Sequence, residues 1–367
     1  MTHAPRSLSR LRSLGLSLVE MMVALTIGLL LTVGLFSMFT TSSQAFKVQD
    51  DFARMQENAT VGLRYIGDSV RHAGFFGYVL DANNIVNQGV AMDATDCGLA
   101  NWALNLTQPL TGFDLTTLNV NATLPCINAS NFQNGQVLVT RSAIGIRIPD
   151  PNSDGDVSDG IAAQTNFNTT IYVQSDPNAG LMFYGSNFAA LRGAGTTRRL
   201  PNNNDVDVFQ LSALVYFIRP CSRPTGSAGT VCQAGDDGGQ PIPTLVRKEL
   251  TGSGMVEAPL VEGIERIDFR YGLDDSNDGV PDRFVRAPTA AEWVNVVSVK
   301  VSLLVRSPSL IRDYDDSGKN YDLDGDNVVD FNCNPALATP LPVACYYKRK
   351  VFSQSFQVRN LAQRRGA

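Results

Sequence analysis

Residues 15–36 read GLSLVEMMVALTIGLLLTVGLF, an apolar run with a single acid, Glu20, near its head. Counted from Leu16 to Phe39 the run is long enough for one bilayer crossing, which takes about 20 helical residues. An ionised carboxylate inside a span costs roughly 2.5–3.5 kcal/mol on insertion scales. The position of Glu20, five residues after Gly15, therefore asks for a function. The leader before the run carries Arg6, Arg10 and Arg12 and no acid. That asymmetry places the start of the span in the cytoplasm and everything after Phe39 on the far side of the membrane. A cleaved secretory signal fits poorly, because the run exceeds an h-region of about 7–15 residues and no A-x-A site follows it.

The helical pattern continues beyond the apolar run. Val48, Phe52, Met55, Ala59, Leu63, Ile66, Val70 and Ala73 recur at steps of three and four, which marks one apolar face of an amphipathic helix. Asp50, Asp51, Arg54, Glu57, Arg64, Asp68 and Arg71 fall between them, and no proline occurs between residues 6 and 108. The spacing predicts one helix over 16–73, roughly 87 Å long at 1.5 Å per residue. Gly74 and the aromatic group Phe75, Phe76 and Tyr78 close it.

Beyond Tyr78 the chain reads differently. Residues 79–135 are rich in Asn, Thr, Asp and Gly, and predict long loops with short strands. Five clearer strands follow: GQVLVTRSAIGIRIP (135–149), VDVFQLSALVYFIRP (206–220), IERIDFRYG (264–272), VVSVKVSLLVRS (296–307) and YKRKVFSQSFQVRN (347–360). In the fourth, Val297, Val299, Val301, Leu303 and Val305 share one face, while Ser298, Lys300, Ser302 and Arg306 share the other. Such alternation predicts an antiparallel sheet with one covered face, and the stripe at 48–73 is its natural cover. The expected fold class is α+β: a long N-terminal helix, membrane-spanning in its first half and amphipathic in its second, packed on an antiparallel β-sheet domain.

Composition narrows the function. The 367 residues carry a net charge of −5, and without the basic leader the body is more acidic still. An acidic body lacks the basic surface that a nucleic-acid partner needs. Six cysteines, Cys97, Cys126, Cys221, Cys232, Cys333 and Cys345, contain no C-x-x-C pair, and only two histidines are present, so zinc is not indicated. An even count beyond a membrane segment suits disulfides. Fifteen pairings are possible, and the sequence-local set, Cys97–Cys126, Cys221–Cys232 and Cys333–Cys345, would pin one loop each. Conventional catalysis finds little support. His3 lies in the leader, His72 is the one histidine of the body, and no P-loop or dinucleotide fingerprint occurs.

Three acidic loops offer oxygen ligands at calcium-loop spacing. Asp274, Ser276, Asp278 and Asp282 occupy relative positions 1, 3, 5 and 9, with Gly279 at 6. Asp322, Asp324, Asp326 and Asp330 repeat that spacing with the glycine at position 4. Asp150, Asn152, Asp154 and Ser158 give a third set. The bidentate Glu of an EF-hand at position 12 is missing from all three. Two readings stay open: loops that hold a structural Ca2+, or solvated turns, since Asp, Asn and Gly are also turn formers. No other cofactor is expected.

Gly15, then Leu16-Ser17-Leu18-Val19-Glu20, then an apolar run behind a short basic leader, resembles the class III signal of type IV prepilins and pseudopilins. The resemblance implies cleavage after Gly15 by a prepilin peptidase and N-methylation of the new terminus at Leu16, where the family ordinarily has Phe. Glu20 becomes the fifth mature residue, which the family keeps acidic and uses in filament assembly. RYIGDSVRHAGFFGY (64–78), LVEGIERIDFRYGLDDSNDGVPD (260–282) and FSQSFQVRNLAQRR (352–365) further resemble the PilW family of minor pilins. This implies a pilin-like organisation: leader 1–15, span 16–39, amphipathic half-helix 40–78 and a β-rich extracytoplasmic domain 79–367. It also implies a non-enzymatic subunit of the inner membrane and then the pilus, needed with other minor pilins and the major pilin to prime or cap the filament. Two alternatives share these features: a minor pseudopilin of a type II secretion system, and a calcium-dependent adhesin at a pilus tip.

Overall fold

A computed structural model describes residues 17–92, 97, 101–116, 119–133, 135–252, 254–311 and 314–361. Helix α1 runs Leu18–His72 as one uninterrupted element, as the absence of proline allows. The chain divides within it into two units, residues 1–53 and residues 54–367.

The described part of the first unit is helix alone. Its apolar side chains stay exposed: Leu18 is 75% exposed, Leu30 71% and Phe39 73%. Among the described residues this is the one helix long and apolar enough to cross a membrane. Phe52, expected in the buried stripe, is 44% exposed, and Val48 is half-buried. The buried face begins at Met55.

In the second unit that face is real. Met55, Ala59, Leu63, Ile66, Val70 and Ala73 are buried in the largest core, against Leu138 and Tyr216 from one sheet and Ile267, Phe269, Val301 and Leu303 from another. Close approach depends on glycine. A Cβ placed on Gly67 would lie 2.3 Å from the Phe356 ring. The helix stops at Gly74, whose φ of +80° suits glycine. Its last carbonyls, on His72 and Ala73, accept from Asn360 Nδ2 at 3.4 and 3.2 Å.

The strands are β1 (Ile85–Asn87), β2 (Leu110–Asp114), β3 (Gln136–Arg147), β4 (Ile171–Ser175), β5 (Gly180–Tyr184), β6 (Val208–Arg219), β7 (Thr244–Thr251), β8 (Gly254–Glu262), β9 (Ile264–Leu273), β10 (Arg283–Val285), β11 (Val296–Arg306) and β12 (Arg349–Gln357). They form two sheets. An eight-stranded sheet runs β1-β5-β4-β6-β3-β2, with β7 added to β6 and β8 to β7. One edge of β6 serves two partners, β4 at Val208–Gln210 and β7 at Leu214–Arg219. The second sheet runs β10-β9-β11-β12 and is antiparallel throughout.

Two expectations need correction. The large sheet is mixed, because β1 joins β5 in parallel register, Ile85 against Gly180. The polar face of the small sheet is also covered. Ser298, Ser302 and Arg306 are all buried, and segments before β7 and after β11 supply partners on that face. Lys300 Nζ donates to the Asp324 carbonyl at 3.0 Å, and Arg306 Nη2 to that of Pro241 at 2.6 Å. Polar residues paired within a layer satisfy the rule that buried charge needs partners. The α+β class holds, with one helix face packed against two sheets.

Candidate functional site

The three acidic loops share one backbone frame. The first aspartate of each accepts N–H groups from the fourth and sixth residues. Asp150 takes Ser153 and Gly155, both at 2.9 Å. Asp274 takes Asn277 at 2.6 Å and Gly279 at 2.9 Å, and Asp322 takes Gly325 at 2.6 Å and Asn327 at 2.8 Å. The fifth residue, Asp154, Asp278 or Asp326, accepts the N–H of the seventh. Positions 4 and 6 have positive φ in every loop: Ser153 58° and Gly155 84°, Asn277 64° and Gly279 82°, Gly325 88° and Asn327 65°. This explains the displaced glycine of 322–330. Both positions need the left-handed region, which Gly and Asn tolerate best, so the two residues can exchange places.

The loops differ in what surrounds them. In 274–282, Asp282 Oδ2 accepts from Asp275 and Ser276 at 2.7 and 2.9 Å, and these bonds hold its carboxyl below the usual carboxylate range. Arg283 pairs with Asp275 at 2.6 Å and Glu292 at 2.7 Å. In 322–330, one carboxylate oxygen from each of Asp322, Asp324 and Asp330 lies within 4.8 Å of the others. Backbone donation from Gly325 holds Asp322 low. The side chain of Asp324 is 1% exposed and meets Arg270.

Arg286, just after β10, gathers four acids. Its Nε lies 2.7 Å from Asp114, and its Nη1 lies 3.4 Å from Asp330 and 3.6 Å from both Asp268 and Asp324. Asp268 is 3% exposed on β9, and burial pushes its carboxyl up to about 6 against the pull of Arg286 and Arg270. Neither of its oxygens receives a hydrogen bond. Asp114, Asp268, Arg270 and Arg286 were not expected at this site. Asp268 and Arg270 were visible only as the polar side of an alternating strand, and Arg286 carried no local signal.

Disulfides join Cys97 to Cys126, Cys221 to Cys232 and Cys333 to Cys345, with Cα atoms 4.3, 5.8 and 5.3 Å apart. Asp236 lies beside Cys221 and Cys232, but bonded sulfurs offer no thiolate to a metal. The Cys333–Cys345 link closes the segment that covers the small sheet. Inside that cover, Arg349 of β12 is fully buried and binds Glu265 of β9 and Asp316.

Glu20 lies in the first turn of α1 and is exposed, where a carboxylate faces the positive end of the helix dipole. Gly15 and Leu16, the expected cleavage and methylation positions, lie outside the described residues.

No curated protein and no solved structure matches the chain. Residues 230–360 match the family model of PilW, the type IV pilus-assembly protein W. The matched span holds the β7–β8 hairpin, the whole small sheet, the loops 274–282 and 322–330, and the Cys333–Cys345 link. This match supports assignment of the chain to the PilW family of type IV pilus-assembly proteins.

Proposed function

We propose that the chain is a minor pilin that joins other minor pilins and the major pilin in a complex that primes or caps a type IV pilus. The observation that carries this reading is the coincidence of two features in one chain. A PilW match spans residues 230–360, and an exposed apolar half-helix runs from Leu18 to Phe39 at the other end of the sequence. The first is a pilus-assembly signature and the second fits a membrane anchor. On this reading the precursor sits in the inner membrane with its N-terminus in the cytoplasm and residues 79–367 in the periplasm. Prepilin peptidase cuts after Gly15, and Leu16 is methylated. The apolar half-helix then leaves lipid for the core of the filament, and Glu20 meets the amine of a neighbouring subunit. The role is assembly, without catalysis.

N-terminal mass analysis of the protein from its native membrane and from sheared pili tests this. The expected product begins at a methylated Leu16 and is present in both fractions. An intact Met1 terminus overturns the reading. Deletion of the gene, with pili, twitching and protein secretion scored separately, distinguishes the two filament systems. Lost secretion with normal pili assigns the chain to a secretion pseudopilus instead.

A further inference from the structure

We propose that loop 322–330 is a calcium site, built on the carboxylates of Asp322, Asp324 and Asp330 and backed by the buried carboxylate of Asp268, and that Arg286 competes with the ion for Asp324 and Asp330. The proposal concerns the domain itself and does not depend on its place in a pilus.

Convergence is the first argument. The three carboxylates come from positions 1, 3 and 9 of one loop, and their oxygens approach within 4.8 Å of one another. Carboxylates at this separation repel, which favours a cation among them beyond the guanidiniums that already meet Asp324 and Asp330. In 274–282 the acids do not converge in this way among the described residues. Asp274 there accepts N–H groups from Asn277, Asp278 and Gly279.

Charge is the second and independent argument. Five carboxylates, those of Asp114, Asp268, Asp324, Asp326 and Asp330, meet two guanidiniums, those of Arg270 and Arg286. The ammonium of Lys300 is directed to a carbonyl of the loop, that of Asp324. Negative charge is in excess even so, in a place where Asp268 and Asp324 are nearly inaccessible to water. Both oxygens of Asp268 are buried and receive no hydrogen bond, whereas Oδ2 of Asp324 is in contact with the Arg270 guanidinium. The nearest cationic nitrogens to Asp268 stand at 3.5 and 3.6 Å, as ion-pair neighbours. Buried carboxylates that outnumber their cationic partners are costly, and a divalent cation would offset two of the excess charges. The donor set is all oxygen and sits on a turn-rich loop, which suits Ca2+ better than the stricter octahedron of Mg2+ or the nitrogen and sulfur preference of Zn2+.

The geometry also gives Arg286 a definite role. Its Nη1 stands 3.6 Å from Asp324 and 3.4 Å from Asp330, so the guanidinium and the ion draw on the same two ligands. Occupation by Ca2+ would tie loop 322–330 to β9 and order the cover of the small sheet.

The test uses the full-length protein in detergent, stripped with EDTA and titrated with CaCl2 by calorimetry, with thermal unfolding followed in parallel. The expected result is saturable binding and a rise in Tm that EDTA reverses. Asp322→Asn should weaken binding about tenfold or more, and Arg286→Gln should tighten it. Wild-type protein that neither binds Ca2+ nor gains in Tm overturns the proposal. So does an equal response in Asp322→Asn, or a response lost in Asp278→Asn and kept in Asp322→Asn, which would place the ion in the other loop. If Asp322→Asn does not fold, Tb3+ luminescence on wild-type protein replaces that arm. Emission sensitised through the adjacent Tyr321 and quenched by added Ca2+ supports the site, and Tb3+ that Ca2+ fails to displace overturns it.

Discussion

Arg349 of β12 reaches across β11 to Glu265 of β9, donating from Nη2 to Oε1 at 3.0 Å, while its Nη1 donates to Asp316 at the same distance. The arginine side chain is fully buried, and Asp316 is too. Tyr314 and Tyr321 add hydroxyl donors to Asp316 at 2.7 and 2.8 Å. One guanidinium thus anchors the covering segment to the sheet beneath it. Arg349→Met removes the guanidinium from Glu265 and leaves Asp316 with Lys319 and two tyrosine hydroxyls alone, and should destabilise the domain by about 3 kcal/mol, read as a lower urea midpoint. Arg349→Lys should recover little, since an ammonium lacks the planar fork that serves two acids at once. A lysine variant as stable as wild type would show that charge alone holds the segment.

Gly67 on α1 packs directly against the ring of Phe356 on β12. A Cβ at Gly67 would meet the ring at 2.3 Å, and Phe356 is 3% exposed. Gly67→Val should therefore cost about 1–3 kcal/mol through overpacking. Phe356→Leu in the same chain makes room and should return part of that loss, giving a favourable coupling in a double-mutant cycle. Additive losses would place the strain elsewhere.

The residues that were legible in the sequence are those whose partners repeat. The α1 stripe from Met55 onward follows helical spacing, and β3, β6, β9, β11 and β12 follow runs of β-branched or alternating residues. The β7–β8 hairpin was not legible. Arg247, Lys248, Glu249 and Glu257 make it read as a loop, and Pro259 reads as a strand breaker. Yet β8 pairs on one side only, where proline is tolerated. The β4–β5 hairpin carried a usable signal that went unread: two apolar runs joined at Asp176–Ala179, where Asp176 caps the turn. The polar face of the small sheet misled for a physical reason. Alternation tells which side chains share a face, but Asp268 and Arg270 look the same on paper whether water or another acidic loop covers them. The candidate site fell between these cases. The Asp322 and Asp274 loops announced themselves by spacing, while Asp114, Asp268 and Arg286 reach the site from separate parts of the chain.

The Cys333–Cys345 link closes a loop over a twelve-residue separation. Closing a loop of this size restricts the unfolded chain by about 3 kcal/mol on the entropic account. The same strap is held by Asp316, whose N–H donates to the Cys345 carbonyl at 3.0 Å. Cys333→Ala with Cys345→Ala should therefore lower stability by about that amount, and the loss should combine non-additively with Asp316→Asn. Urea unfolding of the single, paired and combined variants measures the coupling. Strict additivity would mean that disulfide and ion pair hold independent pieces.

Glu20 carries the prediction that separates targeting from assembly. On the proposed function, its carboxylate in the membrane precursor would lie at the head of the apolar run, near the interface, where water can offset the charge. In a filament core the dielectric is low, and two opposite charges about 4 Å apart attract by about 4 kcal/mol even at an effective dielectric of 20. A new N-terminal amine at Leu16 would be such a partner. On the proposed function, cleavage depends on the residues flanking Gly15 and docking on this pair, so the two steps should respond to different substitutions. Gly15→Ala should leave the N-terminus intact by mass spectrometry of membranes. Glu20→Ala should be cut normally and still be depleted from sheared pili by roughly tenfold or more, given the size of the lost attraction. Glu20→Gln should behave like the alanine variant, because the missing element is charge. Equal recovery of wild type and Glu20→Gln in sheared pili would count against pairing, and would leave the acid with a role in membrane insertion alone.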